Sequence, residues 1–123
     1  MILVDTSVWV DHFSDPNPVL ANLLDAAEIL AHPFVIGELT MGSRPKRNLI
    51  GLLFKLDRAL MATDQEVLHF VAAHKLHGVG IGYLDAHLLA STQMTPDTIL
   101  WTRDKRLAAA AATLSINYVP RLN

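Results

Sequence analysis

Three carboxylates stand alone in apolar company. Asp5 is the only charged side chain between Met1 and Val10. With histidines neutral, Glu38 is the only one between Ile29 and Ser43, and Asp85 the only one between Leu76 and Pro96. An unpaired carboxylate is very costly to bury, so each must be exposed, protonated or bound to a cation. Lone acids in three separate apolar segments point to one shared solution, a divalent ion held by several of them.

The elements around these acids alternate. Met1–Val4 reads as a short buried strand, and Asp5-Thr6-Ser7 supplies capping groups for a helix through Phe13. Asp15-Pro16-Asn17-Pro18 breaks the chain before helical spacing resumes over Val19–Ala27. Glu28–Ala31 reads as a second strand, stopped by His32-Pro33, and Phe34–Met41 as a helix ended by Gly42. Lys46–Leu60 and Asp64–His77 each carry a helical apolar stripe and are expected to pair antiparallel. Gly78, Gly80 and Gly82 form a loop before a helix over Tyr83–Gln93. Thr98–Thr102 reads as a third strand, Asp104 opens a last helix, and Ile116–Val119 offers a final short strand before Pro120. This order predicts an α/β fold with a parallel sheet covered on both faces. Two acids then take on a shared address. Asp5 directly follows the first strand and Asp104 follows the third by two positions, and open parallel sheets form their ligand sites beyond the carboxyl ends of strands. Taken singly, Asp5 and Asp104 are also ordinary helix caps, and Glu38 and Asp85 ordinary surface acids.

Length and composition narrow the classes. The chain has 123 residues, read as one domain over 1–123. It lacks cysteine, which excludes disulfides, thiolate zinc sites and a cysteine nucleophile. The opening residues do not read as a signal peptide, and no apolar run reaches the length of a membrane span, so a cytoplasmic location is expected. Net charge is -2, so nucleic-acid contact must come from a local patch or a metal. Hydrophobic residues make up 51% and mean hydropathy is +0.30. That much apolar content in a small domain predicts a partner surface.

Val4-Asp5-Thr6-Ser7-Val8-Trp9, Gly37-Glu38-Leu39 with Gly42, Leu84-Asp85-Ala86 with Leu88-Leu89-Ala90, and Thr102-Arg103-Asp104 with Leu107 resemble the motifs of PIN-domain nucleases. The length and opening are similar to the VapC-type toxins of toxin–antitoxin pairs. The resemblance spans essentially the whole chain. It implies a three-layer α/β/α fold with a parallel sheet of about five strands, and metal-dependent cleavage of RNA, commonly a transfer RNA or a ribosomal RNA loop. It also implies a homodimer restrained by a VapB-like antitoxin. Hard oxygen ligands suit Mg²⁺ or Mn²⁺, with Asp5, Asp85 and Asp104 as ligands and Glu38 binding directly or through water.

Other residues are candidates of a second kind. Ser7 and Thr102 could orient a neighbouring carboxylate, or serve only as cap and strand residue. Arg103, Lys105 and Arg106 flank the expected site and are candidates for phosphate contact; Arg44, Lys46 and Arg47 form a second basic cluster. His74 and His77 could share a helix face, but without a third ligand the histidines read as surface or packing residues. Trp9 and Trp101 read as core or dimer residues. A groove beside helices Val19–Ala27 and Phe34–Met41 could accept an amphipathic helix. Two alternatives stay open: an aspartyl-phosphate phosphatase using Asp5 as nucleophile, against which Ser7 stands where a second acid is usual, and a catalytically silent protein-binding module.

Overall fold

The computed structural model describes residues 1–43 and 46–120. Arg44 of the second basic cluster lies outside them. Strand β1 (Ile2–Val4) is central, with β2 (Ile29–Leu30) and β3 (Ile99–Trp101) on either side, all parallel. Register places Ile2 beside Ile29 and Ile99, and Val4 beside Trp101. Successive strand residues point to opposite faces, yet Ile2, Leu3 and Val4 are all buried, so both faces of the sheet are covered.

Helix starts follow local capping chemistry. Asp5 caps α1 (Thr6–Ser14) by accepting from the Thr6 N–H. Asn17 accepts from Val19 and Leu20 to open α2 (Pro18–Asp25), with Pro18 in its first turn. His32 caps α3 (Pro33–Thr40) through Nδ1, and Thr63 forms a reciprocal box with Glu66 at α5 (Asp64–Ala73). Asp104 accepts from Arg106 and Leu107 to open α7 (Lys105–Thr113). Helix α4 (Arg47–Leu53) has no side-chain cap, and α6 (Tyr83–Met94) begins at Gly82.

The expectation of about five strands is corrected to three among the described residues. Beyond them lie single parallel bridges, Ala31 with Arg58 and Leu100 with Asn117. The first cannot lengthen because the chain after Ala31 turns into the α3 cap and Pro33. The second stops at Pro120, which has no N–H to continue the ladder. The predicted strand Ile116–Val119 is thus reduced to that bridge. The predicted helix Lys46–Leu60 ends at Leu53, because the following residues serve the sheet: Ala31 N–H donates to Asp57 O and Ala59 N–H to Ala31 O. The expected antiparallel pairing of the two middle helices is also corrected. Helix α5 packs chiefly on α6, and α4 on α3.

The core gathers around β1, with Leu3, Leu88, Leu89, Leu100 and Leu107 fully enclosed. Trp9 and Trp101 are buried in it, as expected. Among the described residues no helix is long and apolar enough to cross a membrane.

Candidate active site

The parallel register sets the site. Asp5 leaves the end of β1 and Thr102 the end of its neighbour β3, so the two meet across 97 residues of sequence. The buried Asp5 carboxylate is held on both oxygens. Oδ1 accepts from the Thr6 N–H at 2.8 Å, and Oδ2 from the Thr102 hydroxyl at 2.7 Å and the Ser7 hydroxyl at 3.2 Å. The same hydroxyls accept from the next loop: Arg103 N–H donates to Ser7 Oγ at 3.0 Å and Asp104 N–H to Thr102 Oγ1 at 3.1 Å. Ser7 and Thr102 therefore clamp Asp5 to the chain that carries Asp104.

The other three acids share a pattern. Glu38, on α3, accepts from the Thr6 hydroxyl at 3.2 Å through Oε1. Asp85, in the first turn of α6, accepts from the Gly82 N–H at 3.3 Å through Oδ2. Asp104 uses Oδ1 to cap α7 at 2.9 and 3.1 Å. In each, one oxygen is anchored and the other has no partner among the described residues. Thr6 escaped sequence reading as a support. Its position beside Asp5 was visible, but its partner lies 32 residues away.

The acids feel one another. Burial first, then the charges of Asp5 and Asp104, pushes the Asp85 carboxyl up, against the Gly82 N–H. Partial burial pushes Glu38 up; the Thr6 hydroxyl opposes it, while Asp5 and Asp85 add to it. Asp5 is thus coupled to Glu38 and Asp85, and Asp85 to Asp104. Among the described residues no lysine or arginine pairs with any of the four; the ion pairs are Arg103–Asp11 at 2.7 Å and His87–Asp64 at 3.1 Å. The donors are all oxygen, which fits a hard divalent cation. No three His, Asp or Glu groups among the described residues are drawn close enough to hold an ion as they stand. The donor set therefore fits by chemistry and by its unpartnered oxygens, not as a closed cage.

The model of the PIN domain matches residues 2–113. The chain belongs to the PIN-domain family. It is 45% identical over 113 residues, 91% of each chain, to proteins called Ribonuclease VapC32 in two Mycobacterium tuberculosis strains, CDC 1551 / Oshkosh and ATCC 25618 / H37Rv. The VapC-type resemblance read from the motifs holds over nearly the whole chain.

Within this PIN domain the basic candidates part company. Arg103 turns to Asp11, so its guanidinium is already engaged. Lys105 and Arg106 lie on the exposed start of α7. Lys46 donates to the Phe13 carbonyl at 2.6 Å and lines a depression of about 410 Å³ between α1 and α3, next to Glu38. That depression is walled by α1 rather than by α2, and a second one beside α3 is walled by Phe54 and Arg58.

The histidines pack or sit on the surface, as expected. His74 and His77 share no helix face, because α5 ends at Ala73. His32 and His87 are buried. His32 Nε2 lies 3.0 Å from Ser91 Oγ, and burial, then the neighbouring His87 and Arg58, lowers its pKa to about 4. Asp64 receives both His87 and the Tyr83 hydroxyl, tying α5 to α6.

Proposed function

We propose that this chain is a Mg²⁺- or Mn²⁺-dependent endoribonuclease and the toxin of a type II toxin–antitoxin pair. The observation that carries the reading is the set of three half-anchored carboxylates beside Asp5, coupled to one another without a basic partner. The ribonuclease name of its relatives points the same way. Asp5, Asp85 and Asp104 would hold the cation, with Glu38 binding directly or through water. The bound cation supplies charge neutralisation for the phosphoryl oxygens and acidifies an attacking water.

The chain's own residues do the positioning. Thr102 and Ser7 fix the orientation of Asp5. Gly82 N–H and the α7 turn hold one oxygen of Asp85 and Asp104, leaving the other without a partner among the described residues. Hydrolysis adds water across the P–O3′ bond, giving a 5′-phosphate and a 3′-hydroxyl without using the RNA 2′-hydroxyl. A transfer RNA or a ribosomal RNA loop is the proposed substrate, a VapB-like antitoxin the partner, and a cytoplasmic homodimer of single-domain chains the working form. The phosphatase alternative is not favoured, since Ser7 stands where a second acid is usual.

The test is cleavage of transfer RNA by purified chain with and without divalent ion. Cleavage should need Mg²⁺ or Mn²⁺ and vanish in Asp5→Asn protein that keeps its circular dichroism and melting behaviour. Wild-type rates from Asp5→Asn protein would sink the site assignment. Sequencing the cut ends would then name the RNA and the bond.

A further inference from the structure

A second feature, joined to the carboxylates along the chain, carries the opposite sign. Where α5 ends, Lys75 adopts a left-handed backbone conformation (φ 54°), with its N–H on Ala72 O and the following Leu76 N–H on Val71 O. This reversal brings Lys75 and His74 to the wall of a depression of about 340 Å³ whose other wall is α7. Lys105, Arg106 and Thr113 line it from α7, over an apolar floor and border of Leu76, Val79, Ala109 and Ala110. Three of the chain's ten lysines and arginines therefore share one depression. No acid lines it, and none of the three cations is in an ion pair among the described residues. In a chain of net charge -2 such a concentration is local, not a reflection of overall charge.

The depression is linked to the carboxylates through the chain at two points. Lys105 follows Asp104 directly. Arg106 lies so close over Gly80 that a Cβ there would stand 2.7 Å from its Cδ and Nη1, and Gly80 is two residues before the Gly82 that holds Asp85. We propose that this depression carries the phosphate backbone of the RNA up to the four acids, with Lys75, Lys105 and Arg106 as the phosphate contacts. The inference rests on the ribonuclease reading for its substrate class. It adds Lys75, which sequence patterning did not single out for this role, and leaves Arg103, paired with Asp11, outside the depression.

The test is made in the Asp5→Asn background, chosen so that bound RNA is not cut, using a labelled single-stranded oligouridylate. Removing Lys75, Lys105 and Arg106 together (Lys75→Gly, Lys105→Ala, Arg106→Ala) should weaken binding about tenfold or more. It should also flatten the dependence of log Kd on log salt by about 0.7 for each cation lost. Lys75→Gly alone should weaken binding while leaving the melting temperature unchanged or raised, since glycine suits that conformation. Lys55→Ala, an exposed charge away from the depression, is the control. Unchanged RNA affinity in the folded triple variant overturns the proposal, as does an equal loss in Lys55→Ala. Failure of wild-type protein to cut any RNA would instead strike the nuclease reading, and the binding comparison would still be decided on its own.

Discussion

Thr102 ties two of the four acids together, since its one hydroxyl donates to Asp5 and accepts from the Asp104 backbone. Thr102→Val keeps the shape and removes both bonds. The expected cost is roughly 1–3 kcal/mol in urea unfolding, with a loss of RNA cleavage, and Thr102→Ser should restore both. His32 makes a prediction of another kind. Folded, it binds its proton only near pH 4; unfolded, near 6.5. Between those values the unfolded chain holds the extra proton, so stability is present above pH 6.5 and drains away as pH falls toward 4. The loss from this residue approaches about 3 kcal/mol. Denaturant titrations at pH 7 and pH 4.5 would measure it. His32→Asn, which keeps a capping acceptor but does not titrate, should show a smaller drop; an equal drop would place the effect elsewhere.

At the scale of elements, α7 separates two roles of one side chain. Asp104 caps the helix through Oδ1, and its other oxygen has no partner among the described residues. Asp104→Asn should preserve the cap and melting temperature while cleavage is lost. Asp104→Ala should lose cleavage and also about 1 kcal/mol of stability. Comparison of the two melts checks this. Caps are also where sequence reading succeeded, because a cap is decided within three or four residues. Asp5 and Asp104, read as caps from the sequence, both open helices in the structure. Helix ends were less legible. Helices α2, α5 and α7 reverse through Ala27, Lys75 and Ser115, positions where glycine is the usual signal. The overlong prediction for α4 failed for a tertiary reason, since Ala31 on the sheet edge claims the backbone of Asp57 and Ala59. The lone acids were visible because a charge among apolar residues is a local contrast. Their supports were not all so visible: Thr6 became one only when folding brought α3 to it, and Lys75 gained its setting only when α7 came alongside.

For the whole molecule, four coupled acids predict a stability that depends on divalent ion. Mn²⁺ at a hundredfold excess over its Kd should add about 2.7 kcal/mol to unfolding, which for a chain of this size is on the order of 10 °C in melting temperature. Asp85→Asn should shrink that shift in a calorimeter, and a full shift in that variant would remove Asp85 from the ligand set. Association of copies is a separate matter of surface. Met41, Leu52 and Phe54 are exposed at 85%, 54% and 58%, so apolar area is available on helices and their ends. The sheet offers no such opportunity at β3. Ile99 and Trp101 bond β1, while Leu100, the strand's outward residue, is satisfied by Ile116 and Tyr118 just before Pro120. A strand from another chain would find no unpaired ladder to extend there, and the proline would stop it from growing. In a chain that is 51% hydrophobic, that blunted edge closes one route by which folded copies could join strand to strand.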